Sequence, residues 1–219
     1  MNATVWLRPE SHRDPRPLPL TRPRIVDAAV SVLDEGGVDG LTMRRLASRL
    51  AVTATALYWH VATRDDVLDL ALDAVFGEVE VPRAGEWRAD VLALTSRWRA
   101  VMLRHPWAPG LVGRPLLGPN VLARTEFLQS ALVRGGFSGV RLAVVTRLLA
   151  NFVIGAALTE STWQRSSDGS SSSRAAARDY VSSAPDLYPT LVASGHLDDA
   201  WSDDDLFARG VEAILEVSA

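Results

Sequence analysis

Apolar side chains recur at intervals of three and four residues along most of this chain, and no segment shows the two-residue alternation of a half-buried strand. The spacing predicts amphipathic helices, because side chains three and four positions apart lie on one face of a helix. Pro23 suits the first turn of the first predicted helix, and Gly36 with Gly37 ends it. From residue 138 to residue 163 the predicted helix is apolar on more than one face, which indicates several packing neighbours. The sequence therefore predicts an all-α fold.

Breaks in the helical pattern divide the chain. Residues 82–85, Pro-Arg-Ala-Gly, predict a domain boundary. The boundary leaves an N-terminal unit of three or four short helices at residues 21–80 and a larger helical unit at residues 85–219. Six serines lie within residues 166–174, and we expect a flexible segment at about residues 164–200.

Composition removes several classes of protein. The chain of 219 residues has no cysteine, which excludes disulfides, thiolate catalysis and cysteine-based zinc sites. Its longest uncharged apolar stretch, residues 148–159, has 12 residues, whereas a membrane-spanning helix needs ~20. The first 20 residues lack the apolar core of a secretion signal. We therefore expect a cytoplasmic protein that does not bind a membrane.

Charge is distributed unevenly. Residues 1–64 hold nine arginines and six acidic residues, a net +3, whereas residues 65–219 hold 14 arginines and 20 acidic residues, a net −6. A basic front on an acidic body predicts an anionic partner for the front half. Residues 1–20 form an arm rich in arginine and proline. The arm either follows a DNA minor groove or is a disordered tail, and the tail is the preferred interpretation.

The sequence contains no recognisable motif for a catalytic or metal-binding site. The four histidines are scattered, and none pairs with an acidic residue or a second histidine at the spacing of ligands: His12, His60, His105 and His196. Lysine is absent, so no phosphate-binding loop of the Gly-Lys type exists. We predict no enzymatic activity, no metal and no cofactor.

Residues 42–60 fit a helix–turn–helix, the unit that places its second helix in the major groove of DNA. Thr42 and Thr53 can each cap a short helix. Ala47 is small where the two helices cross, and Val52 and Leu57 are predicted to face inward.

The block LTMRRLASRLAVTATALYWHV, residues 41–61, resembles the DNA-binding domain of the TetR family of bacterial transcriptional regulators. The resemblance extends over residues 20–80. Weaker landmarks of the tetracycline-repressor class of C-terminal domain lie near Gly113, Gly136 and Gly155. The resemblance implies a homodimer that binds double-stranded operator DNA and a small-molecule effector, most simply a repressor.

The resemblance also implies roles for single residues. The threonine caps would bind phosphates, Arg44 a guanine edge or a phosphate, and Tyr58 the DNA backbone. Trp59 is predicted to lie in the core, whereas for His60 a structural role and a DNA contact are equally favoured. The full set of predicted DNA contacts is Thr42, Arg44, Thr53, Ala54, Thr55, Tyr58, His60 and Arg64.

One position departs from the family pattern. The family commonly has glycine in the turn where this chain has Ala51. If the turn needs a positive φ, alanine costs ~1 kcal/mol there.

The C-terminal unit is predicted to enclose an effector pocket with apolar walls and a few polar groups. Candidate lining residues are Trp98, Met102, His105, Trp107, Leu111, Leu116, Asn120, Phe127, Asn151 and Phe152. In the tetracycline-binding members a His and a Glu hold a metal-chelated drug, and this chain has Leu111 and Thr159 at those places. We therefore expect a largely apolar organic effector bound without metal.

Small and apolar residues of the last two long helices predict a four-helix dimer interface. The candidates are Ala150, Gly155, Phe207, Val211 and Ile214. An alternative stays open, since the outward face of the recognition helix carries only Ala54, Thr55 and Ala56. The chain could be an all-α small-molecule-binding dimer that has lost specific DNA binding.

Overall fold

The computed structural model describes residues 19–111, 117–165, 167–195, 197 and 202–217. This part of the chain contains helices and no strand, so the predicted all-α fold is confirmed. The helices are α1 (Arg22–Gly40), α2 (Met43–Arg49), α3 (Ala54–Tyr58), α4 (Arg64–Gly77), α5 (Trp87–Arg104), α6 (Pro119–Arg134), α7 (Gly139–Arg165), α8 (Ser167–Ser183), α9 (Pro189–Ser194) and α10 (Asp203–Val217). A 3₁₀ turn covers Pro109–Leu111.

Threonine side chains begin the first four helices. Thr21, Thr42, Thr53 and Thr63 each accept a hydrogen bond from the backbone N–H three residues further on. At Thr63 the capping box is complete, because the Asp66 carboxylate accepts in return from the Thr63 backbone N–H at 3.0 Å. The predicted caps at Thr42 and Thr53 are confirmed.

The first helix ends differently from the prediction. Helical structure continues past Gly36 to Gly40, with a break at Gly37, whose φ is +64° and ψ −170°. An L side chain rarely adopts that conformation, so glycine is what lets the chain bend here and resume. The bend carries Leu41 into the core.

Helix α4 belongs to the cores of both halves of the chain. It packs against α1 on one side and against α5 and α6 on the other. Asp73 of α4 accepts hydrogen bonds from the backbone N–H groups of Asn120 and Val121 at the start of α6, at 3.0 and 3.1 Å. A Cβ on Gly118 would overlap the Asp73 side chain, so the close approach of α4 and α6 requires glycine at that position. Movement of α4 is therefore shared by both halves.

Helices α5, α6, α7 and α10 form the C-terminal body. Arg99 of α5 is 7% exposed and binds Glu160 of α7 at 2.5 Å and Asp204 of α10 at 2.6 Å. Burial alone would lower the pKa of Arg99, but hydrogen bonds to Asp204 and Glu160 outweigh it and raise the pKa. The buried guanidinium joins three helices at one point.

Helices α8 and α9 lie within the segment at about residues 164–200, and the flexibility predicted for it stays a prediction. The alanines at 175–177 favour helix and follow the serines. The rings of Tyr180 and Tyr188 lie 6.0 Å apart. The predicted arm falls outside the described residues except for positions 19 and 20.

Ala51 has a φ of +55° in the turn between α2 and α3. We predict that Ala51→Gly raises the free energy of unfolding by about 0.5–1 kcal/mol, since the left-handed penalty exceeds the entropic cost of glycine. Urea denaturation at one fixed protein concentration measures the change. As a control, Ala100→Gly on the exposed face of α5 should lower the free energy of unfolding by about 1 kcal/mol. A destabilising Ala51→Gly would contradict the strain.

Candidate nucleic-acid interface and ligand cavity

Helices α2 and α3 form the predicted helix–turn–helix. Leu46, Ala47 and Leu57 are buried where the helices meet, and the Val52 N–H donates to the Ala47 carbonyl at 3.0 Å. Val52 itself is half-buried. The helices leave most predicted DNA contacts exposed: Thr42, Arg44, Thr53, Ala54, Thr55 and Tyr58.

The unit carries a concentrated positive charge. Residues 40–64 contain four arginines and no acidic residue. Arg45 and Arg49 both bind Glu35 of α1, at 3.3 and 2.5 Å. The hydrogen bond from Arg49, with help from Arg45, lowers the pKa of Glu35. Arg44 is exposed and has no hydrogen bond or salt bridge among the described residues, which leaves its guanidinium available to an external anion.

The prediction that Trp59 lies in the core is wrong. Its side chain is 86% exposed, next to Tyr58, which is 52% exposed. Leu57 and Val61 are buried on either side of it. Because a residue two positions from a buried one points to the opposite side of a helix, Trp59 faces solvent. The buried pair four residues apart was the sequence signal for this.

Arg64 makes contacts that the sequence did not indicate. Its Nε donates to the Leu41 carbonyl at 2.7 Å and a terminal nitrogen donates to the Val38 carbonyl at 2.5 Å. These bonds tie the start of α4 to the chain that enters α2. His60 is half-exposed at the end of α3. DNA contacts by these two residues stay predictions.

His105 and Trp107, expected in the effector pocket, bind α1 instead. The Nδ1 of His105 lies 2.7 Å from the Asp34 carboxylate, and its Nε2 lies 3.3 Å from Glu78. The indole N–H of Trp107 donates to the same Asp34 oxygen at 2.7 Å. Burial would raise the pKa of Glu78, but hydrogen bonds from Arg104 and His105 lower it. Both imidazole nitrogens are therefore used in a contact between the two halves of the chain.

A cavity of about 500 Å³ lies between α5, α6 and α7. Of the predicted pocket residues, it includes Trp98 and Asn151. Phe76 at the end of α4 forms part of its wall, with its ring 5.3 Å from that of Trp98. The described lining residues are Phe76, Leu94, Trp98, Val121, Arg124, Thr125, Leu128, Gln129, Ala143, Thr146, Arg147, Ala150, Asn151 and Ile154.

Other predicted pocket residues lie elsewhere. Met102 and Leu111 are buried in the core, and the Asn120 side chain donates to Asp73 at 3.0 Å. Phe127 packs against the core, and Phe152 stacks on Phe207 of α10 at 5.3 Å. Leu116 falls outside the described residues.

The sequence analysis predicted Asn151 but not the other polar side chains of the cavity, some of which lie at helical spacing. Thr125 and Gln129 are four residues apart on α6, and Ala143, Arg147 and Ile154 share a face of α7.

The predicted dimer residues divide into two groups. Phe207 and Val211 are buried within the protomer, Ile214 is half-buried against the core, and Ala150 borders the cavity. These positions do not form a free face. Gly155 is exposed on α7. It lies on a stripe with other exposed apolar residues of that helix, Val140, Val144, Leu148 and Leu158.

The apolar character of α7 exceeds what one packed face requires. Residues Gly139–Trp163 are long and apolar enough to cross a membrane by length and composition, since an 18-residue stretch within them has a mean hydropathy of 1.8, and 22% of that stretch is buried. A helix with one face in a core and another in a subunit interface has the same composition.

In this chain, α4 joins a helix–turn–helix to a helical body that contains a cavity. This arrangement is typical of helix–turn–helix proteins that carry a ligand-binding domain. Residues 25–71 match the family described as bacterial regulatory proteins, tetR family, and residues 81–216 match the tetracyclin repressor-like C-terminal domain. The chain therefore belongs to the TetR family of transcriptional regulators, whose members are not enzymes.

Individual relatives agree with this assignment. An HTH-type transcriptional regulator of Saccharopolyspora erythraea is 46% identical over 193 residues, which are 87% of this chain and 80% of the relative. The class A tetracycline repressor from transposon 1721 of Escherichia coli is 29% identical over 196 residues, 88% of this chain and 87% of the repressor. Streptomyces coelicolor ActR in complex with actinorhodin superimposes with a TM-score of 0.79 at 33% identity, covering 91% of this chain and 95% of ActR.

Asp34 is the common partner of His105 and Trp107, so we predict that Asp34→Asn loosens the contact between the two halves. Its free energy of unfolding should fall by about 1–2 kcal/mol, the range for hydrogen bonds to a partly exposed charged group. Asp39 is another exposed aspartate of α1, so Asp39→Asn is the matched control. It should change the free energy of unfolding by less than about 0.5 kcal/mol. Equal effects of the two substitutions in chemical denaturation would show that the contact contributes nothing.

Proposed function

We propose that this chain is a homodimeric repressor that is released from a palindromic operator by a small, largely apolar organic effector bound in the cavity between α5, α6 and α7. The observation that carries the proposal is that this cavity shares Phe76 with α4, the helix that follows the helix–turn–helix. The complex of ActR with actinorhodin shows that a relative with the same fold accepts an organic ligand.

The exposed face of α2 and α3 would bind DNA. Arg44 has no partner within the described protein and can reach a guanine edge or a phosphate. Tyr58 and the exposed Trp59 stand at the end of α3, where aromatic side chains can lie against the sugar–phosphate backbone. Two copies of α3 would enter successive major grooves ~34–36 Å apart, as a palindromic site requires.

Arg124 supplies a physical route from the cavity to the DNA-binding half. It lines the cavity, and its guanidinium donates to the carbonyls of Gly77 at 2.7 Å and Val79 at 3.0 Å, where α4 ends. An effector that displaces Arg124 or Phe76 would shift that end of α4. Because Arg64 fixes the other end of α4 to the entry of α2, the shift would change the separation of the two recognition helices.

The free faces of α7 and α10 would form the dimer interface. Val144, Leu148 and Leu158 on α7 and Leu206 on α10 are 42–50% exposed. Gly155 has nothing within 4 Å of the position a Cβ would take, so a partner helix can approach closely there. This arrangement replaces the predicted interface of Phe207 and Val211 with the residues that the protomer leaves exposed.

The alternative function, a ligand-binding dimer without specific DNA binding, is supported by the short side chains of Ala54 and Thr55 at the exposed start of α3. Measuring affinity for the DNA upstream of the protein's own gene over a range of salt concentrations separates the two functions. A repressor should show sequence preference and a steep loss of affinity with salt.

We predict that Arg44→Ala and Tyr58→Ala each weaken operator binding by about 1–3 kcal/mol, the range for a good base or charged contact. Fluorescence anisotropy with labelled operator measures the change. Arg97→Ala, which removes an arginine from α5 outside the helix–turn–helix, is the control and should leave affinity unchanged. If both variants of the helix–turn–helix bind as the wild type does, this surface is not the DNA-binding site.

We predict that Leu148→Asp converts the dimer into a monomer, because it would bury an unpaired carboxylate between subunits. Leu122→Asp on α6 is the matched control, since Leu122 is 51% exposed and Leu148 is 45% exposed. Sedimentation at micromolar concentration should show a monomer for the first variant and a dimer for the second. A dimer of Leu148→Asp would place the interface on another face.

A further inference from the structure

We propose that the effector of this cavity is an organic anion, with a carboxylate or a comparable acid group on a flat apolar body. The inference rests on the proposed function, since it assigns a chemical class to the same ligand. It is carried by the charge and the unused hydrogen-bond donors of the residues that line the cavity.

The cavity wall is cationic. Arg124 and Arg147 both line it, and none of the described lining residues is acidic. Arg147 and Asn151 are also exposed on α7, so they form the edge where the cavity meets solvent. A cation beside an apolar wall loses hydration when a ligand covers it, and an anionic group on the ligand compensates that loss.

The wall also offers hydrogen-bond donors that lack acceptors. The indole Nε1 of Trp98 is buried with no hydrogen-bond partner among the described residues. Arg147 likewise has no hydrogen bond or salt bridge within the described part of the chain. Most buried polar groups in proteins are paired. Trp98 lines the cavity and its N–H is unpaired, so this N–H is a donor that an acceptor on the ligand would satisfy.

The hydroxyl groups of the cavity are already hydrogen-bonded, so they do not add free donors. Thr125 donates to the Val121 carbonyl at 2.9 Å, and Thr146 donates to the Leu142 carbonyl at 2.7 Å. Arg124 is already bound to the carbonyls at the end of α4. The donors left for a ligand are therefore those of Arg147, Trp98 and the side-chain amides of Gln129 and Asn151, and of these only Arg147 carries a charge. A carboxylate presents two oxygens to accept from them.

The rest of the ligand must be apolar and larger than a simple ion. Phe76, Leu94, Leu128 and Ile154 form apolar wall, and the volume of about 500 Å³ lies within the ~300–1,000 Å³ of sites for organic ligands. The rings of Phe76 and Trp98 meet at 56° and present flat surfaces. An inorganic phosphate or sulfate would leave most of this wall uncovered.

Matched pairs of probes test the charge directly. We would measure binding of anthraquinone-2-carboxylate and anthraquinone-2-carboxamide, and of the corresponding naphthalene and phenazine pairs, to the full-length protein by calorimetry. The carboxylate of at least one pair should bind about tenfold more tightly than its amide, since charge-assisted hydrogen bonds are roughly twice as strong as neutral ones.

Three variants locate the effect. Arg147→Gln should remove the preference for the carboxylate and leave the affinity for the amide unchanged, and Trp98→Phe should weaken carboxylate binding severalfold while retaining an aromatic ring. Arg141→Gln removes the same charge from the same helix at a residue that lies over Phe137 outside the cavity, and it should retain the preference. Circular dichroism confirms that each variant is folded.

The absence of a carboxylate preference in every pair, or a preference that survives Arg147→Gln, would overturn the inference. Operator binding measured on the same samples separates it from the proposed function. Carboxylates that bind without changing operator affinity would support the anion site and contradict effector-controlled repression. Release of the operator by a neutral compound, with no preference for carboxylates, would support effector-controlled repression and contradict the anion site.

Discussion

Helices α4 and α6 satisfy each other's ends, and the arrangement of the whole protein depends on this exchange. The N-cap of α6 is Gly118, which has no side chain to bind the free N–H groups of the first turn, and Asp73 of α4 binds two of them instead. In return, Arg124 of α6 binds the Gly77 carbonyl at the end of α4. Neither helix can shift without exposing the polar ends of the other.

A second contact also holds the DNA-binding half against the body. Asp34 of α1 binds His105 and Trp107 of the body. His105 also lies 3.3 Å from Glu78, next to the carbonyls of Gly77 and Val79 that Arg124 binds, so the two links are neighbours at the end of α4. The hydrogen bonds from Arg64 connect the start of α4 to the chain that enters α2, so the two helices move together. The cavity borders only the α4–α6 contact. The proposed effector would therefore act directly on the α4–α6 link, while the Asp34 contact would keep the two halves together.

The features that the sequence predicted well depend on contacts between nearby residues. The features that it predicted poorly depend on packing between elements that are distant in the chain. Helices, threonine caps and the strained turn at Ala51 follow from residues within one or two turns of each other. An apolar stripe shows that a helix face is buried but not what covers it, because the hydrophobic effect has no direction. The stripe at Phe207 and Val211 is covered within the protomer, so the proposed dimer face rests on the residues left exposed. The cavity joins side chains of four helices, which no single helical period reveals.

The proposed anionic effector would differ in chemistry from a metal-chelated tetracycline, although the chain is similar to the tetracycline repressors. A metal-chelated drug needs oxygen or nitrogen ligands around a hard dication. The places that this chain would use hold Leu111, which is buried, and Thr159, which is exposed, and the described residues contain no cluster of three or more His, Asp or Glu side chains that could hold a metal. The arginines at 124 and 147 add like charge, which repels a dication and attracts a carboxylate. Under this proposal the fold and the α4 link are kept, and the charge of the cavity selects the ligand.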